Sequence, residues 1–428
     1  MTYKEYLVNK WPYQEEGHLF LLEVKHGCLY YKPGKGKTYP CIEALLDVDK
    51  FYNNNASVLI MSTADSIKNM WNAEIVPQKI LPKNTVLITT SAAIRDKTKQ
   101  MLLKTHWDVI IVDECHKIKS NTSKISKLVY MLTRKCEYVW GLSGTPRGNS
   151  DIDIFCQLHN LNVSEWGTIS YSQFVNQCCT LDIKFFNGQQ IKIPTGIKKE
   201  YLGGWEKNIA MYTRRADYDE DDEMPDISVN EICLPYTASK YYLNAEKGVI
   251  QINDYESTMT KLAAITKLHQ AANGFLYTPS ADGGTTTTVF ERNKKLDWLR
   301  EHLTTDKTVI VYRFQADFQS IAHELSTLNL NYTETVDEFK SGDASVLLLQ
   351  CSRCESFNLQ MCSRMIFYTL DYSFIKYNQM IHRVWRMGQE NKVEIYVLLM
   401  NGTVENKIWR TVKNKENLSQ LFYSIKGA

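Results

Sequence analysis

Asp113 and Glu114 stand side by side behind four apolar residues, Val109, Ile110, Ile111 and Val112. That run reads as a short buried strand. In a parallel sheet, its end would deliver both carboxylates to the crevice at the sheet's carboxyl edge. One carboxylate can hold a magnesium ion through water, and its neighbour can orient a water for attack on a phosphate. The pattern alone also describes a core strand running into a solvated turn. A second group lies upstream. Gly27 to Tyr31 reads as a strand, residues 33–36 as a turn carrying Gly34 and Gly36, and Thr38 onward as a helix. This is a phosphate-binding layout: backbone N–H groups cradle phosphate oxygens, Lys37 reaches the outer phosphates and the Thr38 hydroxyl ligates magnesium. Tyr31 occupies the first glycine position of the full phosphate-loop pattern, so the match is incomplete.

Two further groups are chemically suggestive. The turn Ser143-Gly144-Thr145-Pro146 ends another apolar run, which would bring its hydroxyls to the same sheet edge. Gln379, His382, Arg383 and Arg386 are spaced by three and four, which on a helix gives them one shared face. That face is either a surface salt-bridge array or a set of cations presented to a nucleotide.

The elements that must position these residues alternate. Apolar runs at Val58 to Met61, Val86 to Ile88, Val109 to Val112 and Tyr138 to Leu142 are separated by helical segments, as is a helix with Pro12 near its start. This predicts a parallel sheet covered on both faces. Beyond Arg147 the alternation stops. Residues 151–290 carry aromatic and amphipathic helical segments, an acidic run from Asp217 to Pro225 read as a linker, and a flexible loop from Pro279 to Val289. Asn187-Gly188, between two alternating stretches, signals a hairpin. A second α/β region starts near Asn293, with strands at Val309 to Val311, Val346 to Leu349, RMIFYTL and VEIYVLL. The expected division is 1–150, 151–290, 291–410 and a C-terminal segment 411–428.

The chain has 428 residues, enough for two or three domains, with a net charge of +2. That balance does not announce a nucleic-acid binder, so any basic surface is local. No apolar run is long enough to span a bilayer, and the N-terminus lacks a signal-peptide core. The 11 cysteines are scattered, as expected for reduced thiols in the cytoplasm. Cys351, Cys354 and Cys362 suggest zinc, but a fourth ligand is not evident.

Taken in order, PYQEEG, GKGKT, the DECH box, SGTP and QMIHRVWRMGQ resemble the helicase-like ATPases of superfamily two, in the Swi/Snf branch. VLIMSTADSIKNMWNAEI, SVLLLQCSRCESFNLQ and YVLLMNGTVENKI resemble further segments of that family. The resemblance covers nearly the whole chain. It implies an α/β fold of two RecA-like lobes with a mainly helical insertion carrying the hairpin, and ATP and Mg2+ as cofactors. By that likeness Gln14 contacts adenine, Lys37 and Thr38 hold phosphate and magnesium, Asp113 binds magnesium and Glu114 activates water. Ser143 and Thr145 couple hydrolysis to movement. Gln379, Arg383 and Arg386 act from the second lobe, with Arg386 as the finger. Thr63, Thr90, Arg313, Ser352 and Asn358 are implied as DNA contacts. The chain departs from the family pattern at Cys354 and Ser356 (usually glycines), at His382 (usually an acid) and at Cys115 (usually alanine).

No reader domain or nuclease motif is visible, which argues against a nucleosome remodeller. The compact design resembles small bacteriophage branch-migration motors, giving the expectation of a DNA translocase acting on duplex, forked or four-way DNA in a host cytoplasm, alongside recombination or replication proteins. Phe185 and Phe186 near the hairpin turn would either wedge into a junction or pack beneath the hairpin. An RNA or single-strand helicase and a non-catalytic ATP-binding clamp are the competing expectations.

Overall fold

The computed structural model describes residues 2–147, 152–186, 189–217, 224–252, 255–258, 261–280, 284–353, 358–386 and 389–414. The chain divides into two compact units, Met1–Asp222 and Glu223–Ala428. Each is organised by its own six-stranded parallel sheet.

In the first unit, β1 (His26–Tyr31), β2 (Ser57–Ser62), β3 (Asn84–Thr89), β4 (Val109–Asp113) and β5 (Tyr138–Leu142) are all strands expected from their apolar runs. An antiparallel pair follows, β6 (Cys179–Phe186) with β7 (Gln189–Ile197), in the register of a hairpin. Asn187 and Gly188 lie outside the described residues, as do the side chains of Phe185 and Phe186. A short strand, β8 (Thr213–Ala216), completes the sheet in the order β3-β2-β4-β5-β1-β8. The β4 strand shows why this sheet must be covered twice. Ile110 and Val112 enter one core cluster, and Val109 and Ile111 enter the other. Side chains alternate across a strand, so a fully apolar run is stable only with helices on both faces.

The second unit repeats the plan. Its strands are β9 (Ile227–Leu234), the antiparallel pair β10 (Val249–Ile252) and β11 (Tyr255–Thr258), and a second antiparallel pair, β12 (Phe275–Pro279) and β13 (Thr285–Val289). Then come β14 (Thr308–Tyr312), β15 (Tyr332–Thr333), β16 (Val346–Gln350), β17 (Arg364–Phe367) and β18 (Val393–Met400). The sheet order is β15-β16-β14-β17-β18-β9. Val309 and Val311 face one cluster, Ile310 and Tyr312 the other.

Three expectations are corrected here. The middle stretch 151–290 is not free of the sheets: β8 adds to the first and β9 to the second. Both are edge strands, whose charged or half-buried residues carry no continuous apolar run. Arg214 in β8 pairs with Glu16 at 2.7 Å and lies over the Phe20 ring. The Pro279 to Val289 loop contains a real strand, because Thr285 to Thr288 are β-branched and pair with β12. Arg386 is not on the helix that carries Gln379, His382 and Arg383. That helix, Phe374–Val384, ends at Trp385, whose backbone leaves the helical region and whose indole Nε1 donates to the Pro225 carbonyl at 2.8 Å.

The second unit is pinned by a buried ion pair. Lys295, fully buried, donates to Glu405 Oε1 at 2.6 Å, to the Tyr368 carbonyl at 2.8 Å and to Asn273 Oδ1 at 3.1 Å. Glu405 also accepts from Asn273 Nδ2 and from the Met400 N–H. Burial alone would raise the Glu405 pKa, but Lys295 and His269 hold it down at about 2. Its contribution to stability is therefore present above the usual glutamate range and is lost as pH falls toward 2. Lys295→Met is expected to cost about 3–5 kcal/mol in urea unfolding of the second unit, because Glu405 would be left buried and unpaired. Adding Glu405→Leu should recover most of that loss; a single variant as stable as wild type would contradict the assignment.

Candidate active site

The first unit's site is assembled at the carboxyl ends of β1, β4 and β5, which neighbour one another in the sheet. Asp113 is the last residue of β4 and is almost completely buried. Its Oδ2 accepts three hydrogen bonds: from Ser62 Oγ at 2.9 Å, Ser66 Oγ at 2.8 Å and Trp71 Nε1 at 3.1 Å. Its Oδ1 accepts the Glu114 N–H at 3.0 Å. Burial, followed by the Glu114 charge, raises the Asp113 pKa; Lys37, Ser66 and Trp71 act against that rise. The local sequence explains the geometry. Thr63 caps a short helical turn by accepting the Ser66 N–H, and the chain continues as a π-helix, Ile67–Ile75. The wider turn sets the Trp71 indole on Asp113, as π-helical segments often do at functional sites. Of these three donors, only the tryptophan-bearing helix was legible in the sequence, and not its contact.

Glu114 takes a left-handed backbone conformation, φ 54°, which is uncommon for a residue with a side chain. The turn swings its carboxylate away from Asp113's hydrogen bonds. Glu114 Oε1 lies 3.8 Å from Lys37 Nζ, and its Oε2 lies 3.1 Å from His116 Nδ1. His116 Nδ1 is also 3.1 Å from Ser143 Oγ, which accepts the Thr145 N–H at 3.1 Å. A polar line thus runs from the phosphate loop through the acidic box to the Ser143–Pro146 turn. His116 was not singled out from the sequence, although its place in the box was the available signal.

The phosphate loop is shaped by glycine. Gly34 and Gly36 have φ of 91° and 67°. A Cβ on Gly36 would lie 2.6 Å from Gln14 Nε2. Gln14, buried on the helix Pro12–Val24, donates through Nε2 to the Lys35 carbonyl at 3.2 Å and accepts the Trp11 N–H. Gly144 packs on Pro33, which ties the Ser143–Pro146 turn to the same loop. The helix Thr38–Phe51 begins at Lys37 without a side-chain cap, so its first N–H groups point toward the loop.

These residues fit a magnesium nucleotide. The Thr38 hydroxyl and the Asp113 carboxylate are hard oxygen donors of the kind magnesium takes, with water completing the shell. Thr145 Oγ1 is buried and has no hydrogen-bond partner among the described residues. Bound magnesium would offset phosphate charge. Lys37 and the helix N–H groups would hold the phosphates, and Glu114 would orient the attacking water.

The remaining sequence-predicted residues fall into local groups. Thr63 and Thr90 follow β2 and β3, whose ends pair Ser62 with Thr89. Arg313 and Ser352 follow β14 and β16, which pair Tyr312 with Gln350. Arg313 lies over the Tyr372 ring, with Nη1 3.7 Å from Asp371 Oδ2. Ser352 donates to Gln350, and Asn358 closes a local turn by accepting the Gln360 N–H. In the second unit Gln379 is buried, Arg383 is half-buried with its carbonyl accepting the Leu359 N–H, and Arg386 is half-buried past the helix end. Cys351 is hydrogen-bonded to Asp371 and Cys362 to the Lys307 and Arg364 carbonyls, while Cys354 lies outside the described residues.

Two parallel sheets, with a phosphate loop after β1 and an acidic box at the end of β4 on either side of β5 in the first, define a nucleotide-binding α/β core. The profile of the SNF2-related domain matches residues 57–201, and that of the helicase conserved C-terminal domain matches residues 263–388. The chain belongs to the Swi/Snf-type helicase-like ATPases of superfamily two. It is similar to the Arabidopsis thaliana CHD3-type chromatin-remodeling factor CHR7, with 25% identity over 79% of this chain and 29% of the relative. It is also similar to the Drosophila melanogaster SWI/SNF-related matrix-associated actin-dependent regulator of chromatin subfamily A-like protein 1, with 22% identity over 95% of this chain and 55% of the relative. The chain thus spans about half or less of the length of these two proteins. Among solved structures, the Sulfolobus solfataricus SWI2/SNF2 ATPase core in complex with dsDNA aligns over 98% of this chain and 93% of its own, with 22% identity and a TM-score of 0.41. Among the described residues, no helix is long and apolar enough to cross a membrane.

Gly36→Ala should weaken Mg2+·ATP binding at least about tenfold by titration calorimetry and destabilise the first unit by about 1–2 kcal/mol, since the left-handed backbone and the Gln14 amide both oppose a Cβ. Wild-type affinity in this variant would contradict the loop assignment.

Proposed function

We propose that this chain is an ATP-driven motor that translocates on duplex DNA and acts on forked or four-way DNA, in branch migration or fork remodelling during recombination, repair or replication. The observation that carries the motor reading is the polar line Lys37–Glu114–His116–Ser143. It joins groups suited to hydrolysis to a turn suited to transmit the event. The chromatin proteins among its relatives favour duplex DNA as the track. Thr63, Thr90, Arg313, Ser352 and Asn358 supply backbone contacts, which position a protein on DNA without reading sequence. Arg386 of the second unit supplies transition-state charge, with Gln379 and Arg383 as supporting groups. Ser143 and Thr145 couple hydrolysis to movement. Phe185 and Phe186 either wedge into a junction or pack beneath the hairpin, and small bacteriophage branch-migration motors are the functional analogue the compact design resembles.

ATP hydrolysis measured in parallel with single-stranded DNA, duplex, fork, four-way junction and RNA tests this reading. Branched DNA should stimulate most strongly. Lys37→Ala should abolish turnover, and Arg386→Ala should reduce it by about 10³-fold or more. Equal stimulation by plain duplex would leave a general translocase, stimulation only by RNA or single strands would overturn the substrate, and no turnover would favour an ATP-binding clamp.

A further inference from the structure

Gln157 is a buried amide outside the set of residues assigned to ATP. It sits on the helix Ile152–Asn160 with no solvent exposure. Its Oε1 accepts from the Cys115 thiol at 3.3 Å and from the Tyr30 hydroxyl at 3.5 Å. Its Nε2 donates to the Pro146 carbonyl at 2.7 Å and to the Asp153 carbonyl at 2.9 Å. Both acceptor sites and both donors of the amide are therefore engaged. The three long-range partners are informative. Cys115 directly follows Glu114, Tyr30 lies in β1 ahead of the phosphate loop, and Pro146 closes the Ser143–Pro146 turn. An amide is rigid and planar, so it holds these three segments at fixed separations.

Each contact is also directional. Pro146 has no N–H, so its carbonyl is the polar backbone group through which its peptide unit can be held. Cys115 is buried, and its thiol donates to the Gln157 amide oxygen. An alanine at position 115 would offer Gln157 no donor. The cysteine and the glutamine thus act as a pair.

We propose that Gln157, oriented by Cys115, is a positioning residue that sets the Ser143–Pro146 turn against the acidic box, and so governs how fast bound ATP is turned over rather than how tightly it is held. The proposal rests on the motor reading above. The Gln157 amide bonds to Tyr30, Cys115, Pro146 and Asp153 rather than to a side chain assigned to ATP; it acts through the Pro146 carbonyl. Losing that hydrogen bond frees the turn that carries Ser143 and Thr145, while the phosphate loop with Lys37 and Thr38 keeps its own supports.

The test compares wild type, Gln157→Leu, Cys115→Ser, Cys115→Ala and the double variant Cys115→Ala with Gln157→Leu. Steady-state ATPase with duplex DNA, thermal midpoint, and amide hydrogen exchange over residues 143–147 are measured for each full chain. Gln157→Leu should lower kcat about ten- to a hundredfold, as small displacements of reacting groups do. KM for ATP should stay within about twofold of wild type, and exchange over residues 143–147 should rise. Cys115→Ser keeps a donor and should stay close to wild type. The double variant removes both members of the Cys115–Gln157 pair and should regain part of the thermal midpoint lost in the single variants, yet keep the low kcat, because the Pro146 bond is still missing. Recovery of kcat together with the midpoint would reduce Gln157 to a packing role and overturn the proposal. Unchanged exchange over residues 143–147 in Gln157→Leu would overturn it as well. Absence of turnover in wild type would count against the motor reading alone, since the exchange comparison decides the positioning without hydrolysis.

Discussion

The Asp113 carboxylate at the end of β4 is the constraint on which the first unit depends. A carboxylate this deep in a parallel sheet is costly unless its oxygens are satisfied. Ser62, Ser66 and Trp71 satisfy one oxygen and the Glu114 backbone the other. Those bonds require β2 to end where it does, the short capped turn after Thr63 to follow, and the π-helical segment to present an indole. They also leave Glu114 in a left-handed conformation with its carboxylate turned toward Lys37 and His116. The geometry suited to phosphate chemistry is thus a consequence of how one buried charge is accommodated.

The second unit is built on the same sheet plan but anchored differently. Its buried Lys295–Glu405 pair joins the helices Lys261–Ala272, Lys294–His302 and Val404–Lys413 through Asn273, His269 and the Tyr368 carbonyl. Buried pairs of this kind add little net stability over an apolar core, but they admit one arrangement of partners. That arrangement lies behind the segment bearing Arg313, because the His269 ring packs against Phe314 and Tyr372. The half-buried Arg313 guanidinium, stacked over the Tyr372 ring, thus has rigid support beneath it.

How much of this was legible in the sequence depended on burial. The central strands β1, β2, β4 and β14 announced themselves because both faces are buried, which forces continuous apolar runs. The edge strands β8 and β9 did not: β8 is four residues long with Arg214 and Arg215 at its centre, and β9 alternates half-buried with exposed residues. The residues proposed for the site, at or beyond strand ends, were readable as motifs: Lys37, Thr38, Asp113, Glu114, Ser143 and Thr145. The groups that support them were not. Trp71, His116 and Gln157 meet Asp113, Ser143 and Cys115 across 27 to 42 positions of sequence, and neither periodicity nor spacing encodes such contacts. The end of the arginine-bearing helix was misplaced for a related reason: the Trp385 indole bonds to Pro225, a tertiary contact that no local pattern reveals.

We propose that Glu114 orients the attacking water while other groups hold the nucleotide. The direct test is Glu114→Gln, with Mg2+·ATP binding and DNA-stimulated hydrolysis measured on the same preparation. Affinity should stay within about threefold of wild type while turnover falls by about 10²–10⁴-fold, the range expected when a positioned base is removed. Turnover equal to wild type, or loss of binding together with hydrolysis, would contradict this role for Glu114.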